Sequence, residues 1–198
     1  MKAKHLPLIL ALLPALACGP GKTKEARGNA QAGFSEYSSE GGLFKAQVPS
    51  DWQSGSGAPG SGAAESSADF AGPTDLQGGR SWIAVTYYGP DHPRMTMAKF
   101  MELNSKMDPV LHLPGEVYGP VKDITVAGRA AKTFDRKTFD YVPPYAVHSI
   151  KIPVFERFTV VPGLKGGFYT IALHAPEDLA DQLLPKYEKV VAGFSPAK

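Results

Sequence analysis

The sequence predicts an α+β domain with a mostly antiparallel sheet of about six strands and two helical regions, and three observations carry this. Residues 44–48 and 150–160 alternate apolar and polar side chains with a period of two. Two further strand patterns, 121–126 and 129–134, meet across Ala127-Gly128, a connection of hairpin length. Near the end of the chain, Leu179, Leu183, Tyr187, Val190 and Phe194 recur at helical spacing.

Order is expected to begin near Phe34. In the first strand Phe44, Ala46 and Val48 share one face, Lys45 and Gln47 the other, and Pro49 stops it. Residues 53–68 are rich in Gly, Ser and Ala and read as a mobile surface loop, a tolerated insertion. Asp69-Phe70-Ala71 starts a short strand ahead of a turn from Gly72-Pro73 to Gly78-Gly79. Residues 81–88, SWIAVTYY, carry apolar groups on both faces, which predicts a central strand. Gly89-Pro90-Asp91-His92-Pro93 breaks it. Thr96 then caps a helix to about Met107 that buries Met97, Phe100 and Met101, the methionines serving as core filler. Prolines at 109, 114 and 120 make the next stretch irregular, and the 121–134 hairpin follows. After Pro143-Pro144 a long strand runs from His148 to Val161. Its apolar parity includes Ile150, Ile152, Val154, Phe158 and Val160, places His148 with the buried face, and makes Pro153 the mark of an edge or bulge. A glycine-rich turn leads to a strand at 168–174. The final helical segment starts at Pro176, and Pro185 predicts a kink or a split into two helices.

Ahead of this domain, residues 1–17 have the form of an export signal. Lys2 and Lys4 precede an apolar run at 6–17, too short to cross a bilayer core of about 30 Å as a helix. Ala15-Leu16-Ala17-Cys18 resembles the lipobox of bacterial lipoproteins, which implies a diacylglycerol thioether and acylation such as palmitate on Cys18. Cys18 is the only cysteine, so an exported chain offers it no intramolecular disulfide partner. Residues 18–33 lack aromatic and β-branched apolar side chains and read as a flexible tether, leaving 34–198 as the folded domain. Loss of the signal takes away Lys2 and Lys4 and no acid, so 21 Lys and Arg become 19 against 19 Asp and Glu. A neutral mature chain excludes a nucleic-acid-binding basic domain. The expected location is the cell envelope, held by lipid, and the outer membrane in a Gram-negative cell, because Gly19 rather than aspartate follows the cysteine.

With these elements in order, residues 37–52 (YSSEGGLFKAQVPSDW), Val126-Ala127-Gly128-Arg129-Ala130, Gly167-Phe168-Tyr169 and residues 187–196 (YEKVVAGFSP) resemble the PsbP-like superfamily. That group spans extrinsic photosystem subunits, a nuclear-transport protein of the Mog1p type that binds the GTPase Ran, and bacterial lipoproteins. The resemblance implies an α/β/α sandwich around an antiparallel sheet. It carries over no functional residue.

Catalytic motifs are absent. Gly55-Ser56-Gly57-Ala58-Pro59-Gly60 matches G-x-G-x-x-G in letters but has no helix behind it to receive a pyrophosphate. Neither G-x-S-x-G, H-E-x-x-H nor C-x-x-C occurs, and no two of His92, His112, His148 and His174 stand at metal-ligand spacing. No catalytic residue, metal or cofactor is therefore assigned. Tyr141-Val142-Pro143-Pro144-Tyr145 stands out as a proline-stiffened loop with two tyrosines, a low-entropy aromatic surface for a partner. The function read from the sequence is a lipid-anchored, non-enzymatic envelope protein that binds or stabilises another protein. The alternatives are a carrier of a metal or small ligand using His92 and nearby acids, and a hydrolase whose scattered active site draws on His92 or His174. Replacing Cys18 with Ser should abolish metabolic palmitate labelling and leave an unprocessed precursor on a gel; normal labelling of Cys18→Ser would remove the lipid assignment.

Overall fold

The computed structural model describes residues 33–56, 64–108 and 113–197; the signal, Cys18, most of the tether and His112 lie outside them. In chain order the elements are β1 (Phe34–Ser38), β2 (Phe44–Pro49), β3 (Gln53–Ser56), β4 (Glu65–Thr74), β5 (Arg80–Tyr88), α1 (Met97–Asn104), β6 (Val117–Tyr118), β7 (Lys122–Val126), β8 (Arg129–Val142), β9 (Ile150–Pro162), β10 (Phe168–Pro176), α2 (Glu177–Ala192) and β11 (Ser195–Pro196). The main sheet runs β3-β4-β5-β10-β9-β8-β6 with β7 also on β8, and each of its pairings is antiparallel. A second sheet has the order β1-β2-β11.

Register sorts the side chains into two faces. Tyr169 sits opposite Tyr87 and Ile171 opposite Val85, and with Leu173, Ile83 and Val161 they form one apolar face. Leu183, Tyr187 and Val190 of α2 cover that face together with Phe44, Ala46 and Val48 of the small sheet. The buried Tyr187 hydroxyl donates within this layer, lying 2.7 Å from Thr159 Oγ1 and 3.0 Å from the Ile171 carbonyl. The opposite face carries Phe134, Phe158, Val160, Phe168 and Ala172, and α1 lays Phe100 on it. The result is an α/β/α sandwich whose α2 layer is widened by the small sheet.

Several boundaries differ from the expectation, each for a tertiary reason. The described residues hold eleven strands rather than about six, because β1, β3, β6 and β11 are short segments stabilised by pairing and carry little alternation of their own. The 53–68 stretch is not a loop throughout. Gln53–Ser56 pairs with residues 68–71 and β4 already begins at Glu65, its small side chains fitting between strands while Ala68 and Phe70 fill the core. β8 continues to Val142 because β9 pairs with it over residues 132–142. Pro153 lies within β9, at a point where β10 has ended (the last β10 pair is Pro176 with Val154), so only β8 flanks it. His148 is exposed, two residues before β9 begins. Thr96 does cap α1, accepting from Lys99 N at 3.1 Å, but the helix ends at Asn104. There Asn104 Nδ2 and Ser105 Oγ turn back onto the Phe100 and Met101 carbonyls. α2 continues through Pro185 as a single helix. Pro185 is exposed, so the carbonyl of Asp181 that loses its partner faces the solvent side.

The turn before β10 shows how tightly the strands approach. Gly167 has φ 69°, and a Cβ there would overlap the Tyr88 carbonyl, whereas Gly128 at φ 73° has open space around it. Gly128→Ala should cost about 1–2 kcal/mol for the left-handed backbone alone. Gly167→Ala should cost about 1–3 kcal/mol more through overpacking, read as the difference in urea midpoints. Equal losses would show that the Tyr88 contact relaxes freely.

Candidate functional site: a groove at one end of the main sheet

The β4–β5 turn and the β8–β9 connection emerge at the same end of the sheet, since Thr74 pairs with Arg80 and Val142 with Ile150. The first is a tight turn in which Asp75 Oδ1 accepts from Gln77 N at 2.8 Å and Gly79 N at 2.7 Å. In the second, Ser149 Oγ lies 2.6 Å from the Pro143 carbonyl and 2.8 Å from that of Ala146, holding residues 143–149 in a closed loop. Between them lies a groove of about 1120 Å³. Tyr141, Pro143, Pro144 and Tyr145, singled out from the sequence, line one wall of it. Tyr145 has φ 61°, a costly conformation for a bulky residue, and its side chain is fully exposed. Arg80 stands at the rim, and no side-chain partner meets its guanidinium among the described residues.

The floor was not visible in the sequence. His174 pairs across β10 with Trp82 on β5 and with Glu156 on β9, and the Trp82 ring stacks on the imidazole at 4.9 Å and 5°. Asp140 Oδ2 lies 2.9 Å from His174 Nε2, and Glu156 Oε1 lies 3.2 Å from Nδ1. Glu156 Oε2 accepts in turn from Arg136 Nε at 2.6 Å, and the Arg136 guanidinium sits over the Phe158 ring. The row Asp140, His174, Glu156, Arg136 alternates in sign and runs across three adjacent strands. Burial opposes charge on His174, but its bonds to Glu156 and Asp140 outweigh it and hold the imidazole above its ordinary value. Burial likewise pushes Glu156 up, and His174 and Arg136 together bring it below the usual carboxylate range. Bonding to both carboxylates at once requires the imidazolium, which donates from both nitrogens.

Both nitrogens of His174 are engaged by carboxylates, and among the described residues no hydroxyl or thiol is bonded to it. His92 is also fully occupied. Its Nδ1 accepts from Met95 N at 2.8 Å and Arg94 N at 3.2 Å, its Nε2 lies 3.2 Å from Glu65 Oε2, and its ring meets Tyr88 edge-on. It fastens the loop after β5 to the start of β4. Among the described residues no group of three His, Cys, Asp or Glu is placed to hold a metal ion.

Neither a protein-family model nor a curated protein matches the chain. Solved structures do match. The solution structure of cyanobacterial PsbP (CyanoP) from Synechocystis shares 15% identity, covers 90% of this chain and 100% of its own, and has a TM-score of 0.46. A Pseudomonas aeruginosa protein of unknown function, PA94, shares 13%, covers 83% and 98%, and scores 0.47. The Ran-binding protein Mog1p of Saccharomyces cerevisiae shares 12%, covers 82% and 95%, and scores 0.43. Among these are members of the superfamily that the sequence motifs resemble; the α+β architecture itself rests on the strand order and register given above.

The row of charges makes stability depend on pH from both sides. His174, raised above 6.5, stabilises fully below that value and loses its contribution as pH rises through the folded value. Glu156, lowered from 4.5, stabilises above that value and loses its contribution as pH falls through the folded value. The urea midpoint should therefore be highest between these limits. His174→Ala should cost about 3 kcal/mol near neutral pH, leaving Asp140 and Glu156 without their shared cation, and should abolish the alkaline decline. An unchanged alkaline limb in that variant would show that His174 does not set it.

Proposed function

We propose that this chain is a non-catalytic domain, anchored at the cell envelope by lipid on Cys18, that binds a partner protein through the groove at the end of its main sheet. The observation that carries the reading is the contrast between wall and floor. The ionisable floor residues satisfy one another completely, while the wall offers exposed Tyr141 and Tyr145 on a rigid proline loop. Rigid exposed tyrosines supply contact area at low entropic cost, the property of interface anchors. Arg80 at the rim adds a cation free to meet a carboxylate of the partner. The anchor rests on the export signal and the single cysteine, and no described helix is long and apolar enough to cross a membrane. An outer-membrane location in a Gram-negative cell belongs to the same reading.

A photo-crosslinking amino acid placed at Tyr145 in living cells should yield a discrete protein adduct. The same probe at Leu164, in the turn at the far end of the sheet, should not, and Arg80→Glu should weaken the Tyr145 adduct. Identical adduct patterns from the two positions would overturn the groove assignment.

A further inference from the structure

Two connections at the groove end each carry a large apolar side chain fully out in solvent. Leu76, in the β4–β5 turn, has a relative exposure of 105%, and Val147, in the 143–149 loop, 93%. Both tips are held in place, Leu76 by the amides on Asp75 and Val147 by the hydroxyl of Ser149. The two connections approach each other at their bases, since a Cβ on Gly78 would be 3.3 Å from Val142 Cγ1. Apolar tips on two hydrogen-bonded loops at one end of the sheet mark a surface that is covered in use.

The chain enters the domain at this same end. The Gly33 carbonyl accepts from Ser50 N at 3.1 Å, and the following Asp51 and Trp52 line a cleft together with Arg80, which also lines the groove. Residues 18–32 precede Gly33, a length with a typical coil reach of about 20 Å. A nine-residue strand of the main sheet is about 30 Å long. A lipid on Cys18 therefore brings the Leu76 and Val147 end to the bilayer in preference to the Leu164 end. Charge neither drives nor opposes the contact strongly. Asp75 is engaged by turn amides, Glu177 by Lys137 and Asp51 by Lys186, while Arg80, Lys151 and His148 are exposed.

We propose that Leu76 and Val147 insert into the leaflet that carries the Cys18 lipid and dock the groove end of the domain on the phospholipid surface. The proposal rests on the lipid anchor, and the groove would then meet its partner at the level of the membrane. Insertion of the apolar tips places them within about 5–10 Å of the headgroup boundary.

The test uses the lipidated full chain in vesicles of phosphatidylethanolamine and phosphatidylglycerol. Cys18 is the only native cysteine and its thiol is blocked by the diacylglycerol thioether, so Leu76→Cys, Val147→Cys or Leu164→Cys supplies a single site for an environment-sensitive dye. The expected result is a blue-shifted dye at 76 and 147, quenched by lipids brominated on the acyl chain, and an unshifted, unquenched dye at 164. Flotation of unlabelled protein with the vesicles reads the anchor separately. Failure to float removes the anchor and the docking with it. Flotation with no quenching at 76 and 147, or with equal quenching at 164, overturns the docking alone. Photo-crosslinks from 76 and 147 to a protein rather than to lipid in cells would also overturn it, in favour of a protein occupant.

Discussion

The structure depends on the complete burial of β10. All nine of its residues are buried, flanked by β5 and β9 in the sheet, with α2 and the small sheet over one face and α1 over part of the other. Such a strand should be apolar throughout, and this one carries His174. A buried imidazole has to be fully bonded; in this sheet the register places Glu156 beside it, and Asp140, opposite Ile152 on β8, reaches it from one strand further on. Glu156, itself 6% exposed, then requires Arg136. One polar residue in the central strand thus organises a row of four charges over three strands.

That row also explains why the groove is where it is. The face of the sheet that carries His174 is covered by α1 over only part of its length. Phe100 packs its ring against Phe158 and Phe168, toward the end where Tyr88 pairs with Phe168. Among the described residues no helix covers the Trp82 and His174 end. A stacked aromatic and imidazole pair over satisfied carboxylates can stand at the bottom of an open groove, where an unpaired charge or a bare apolar patch would be costly. The two connections that wall the groove are ordered by side chains bonding to their own backbone, Asp75 in one and Ser149 in the other. The groove is therefore a rigid feature with a satisfied floor and an exposed rim.

What the sequence determined by itself is everything local. Alternation located β2 and β9, apolar side chains on both faces located β5, a two-residue connection located the β7–β8 hairpin, and helical spacing located α2; Thr96 announced the start of α1. The apolar run before Cys18 and the lone cysteine defined the expected route of the chain, and the proline-flanked tyrosines were legible as a stiff exposed loop. Only the tertiary structure decided the rest, because it depends on register between segments far apart in the chain. Trp82 and His174 are 92 positions apart and stack only because Leu173 pairs with Ile83. His148 ran against the local reading because strand pairing, which begins only at Ile150, and not periodicity sets its surroundings. The short strands β1, β3, β6 and β11 exist through hydrogen bonds supplied by neighbours, a contribution that no property of their own residues records.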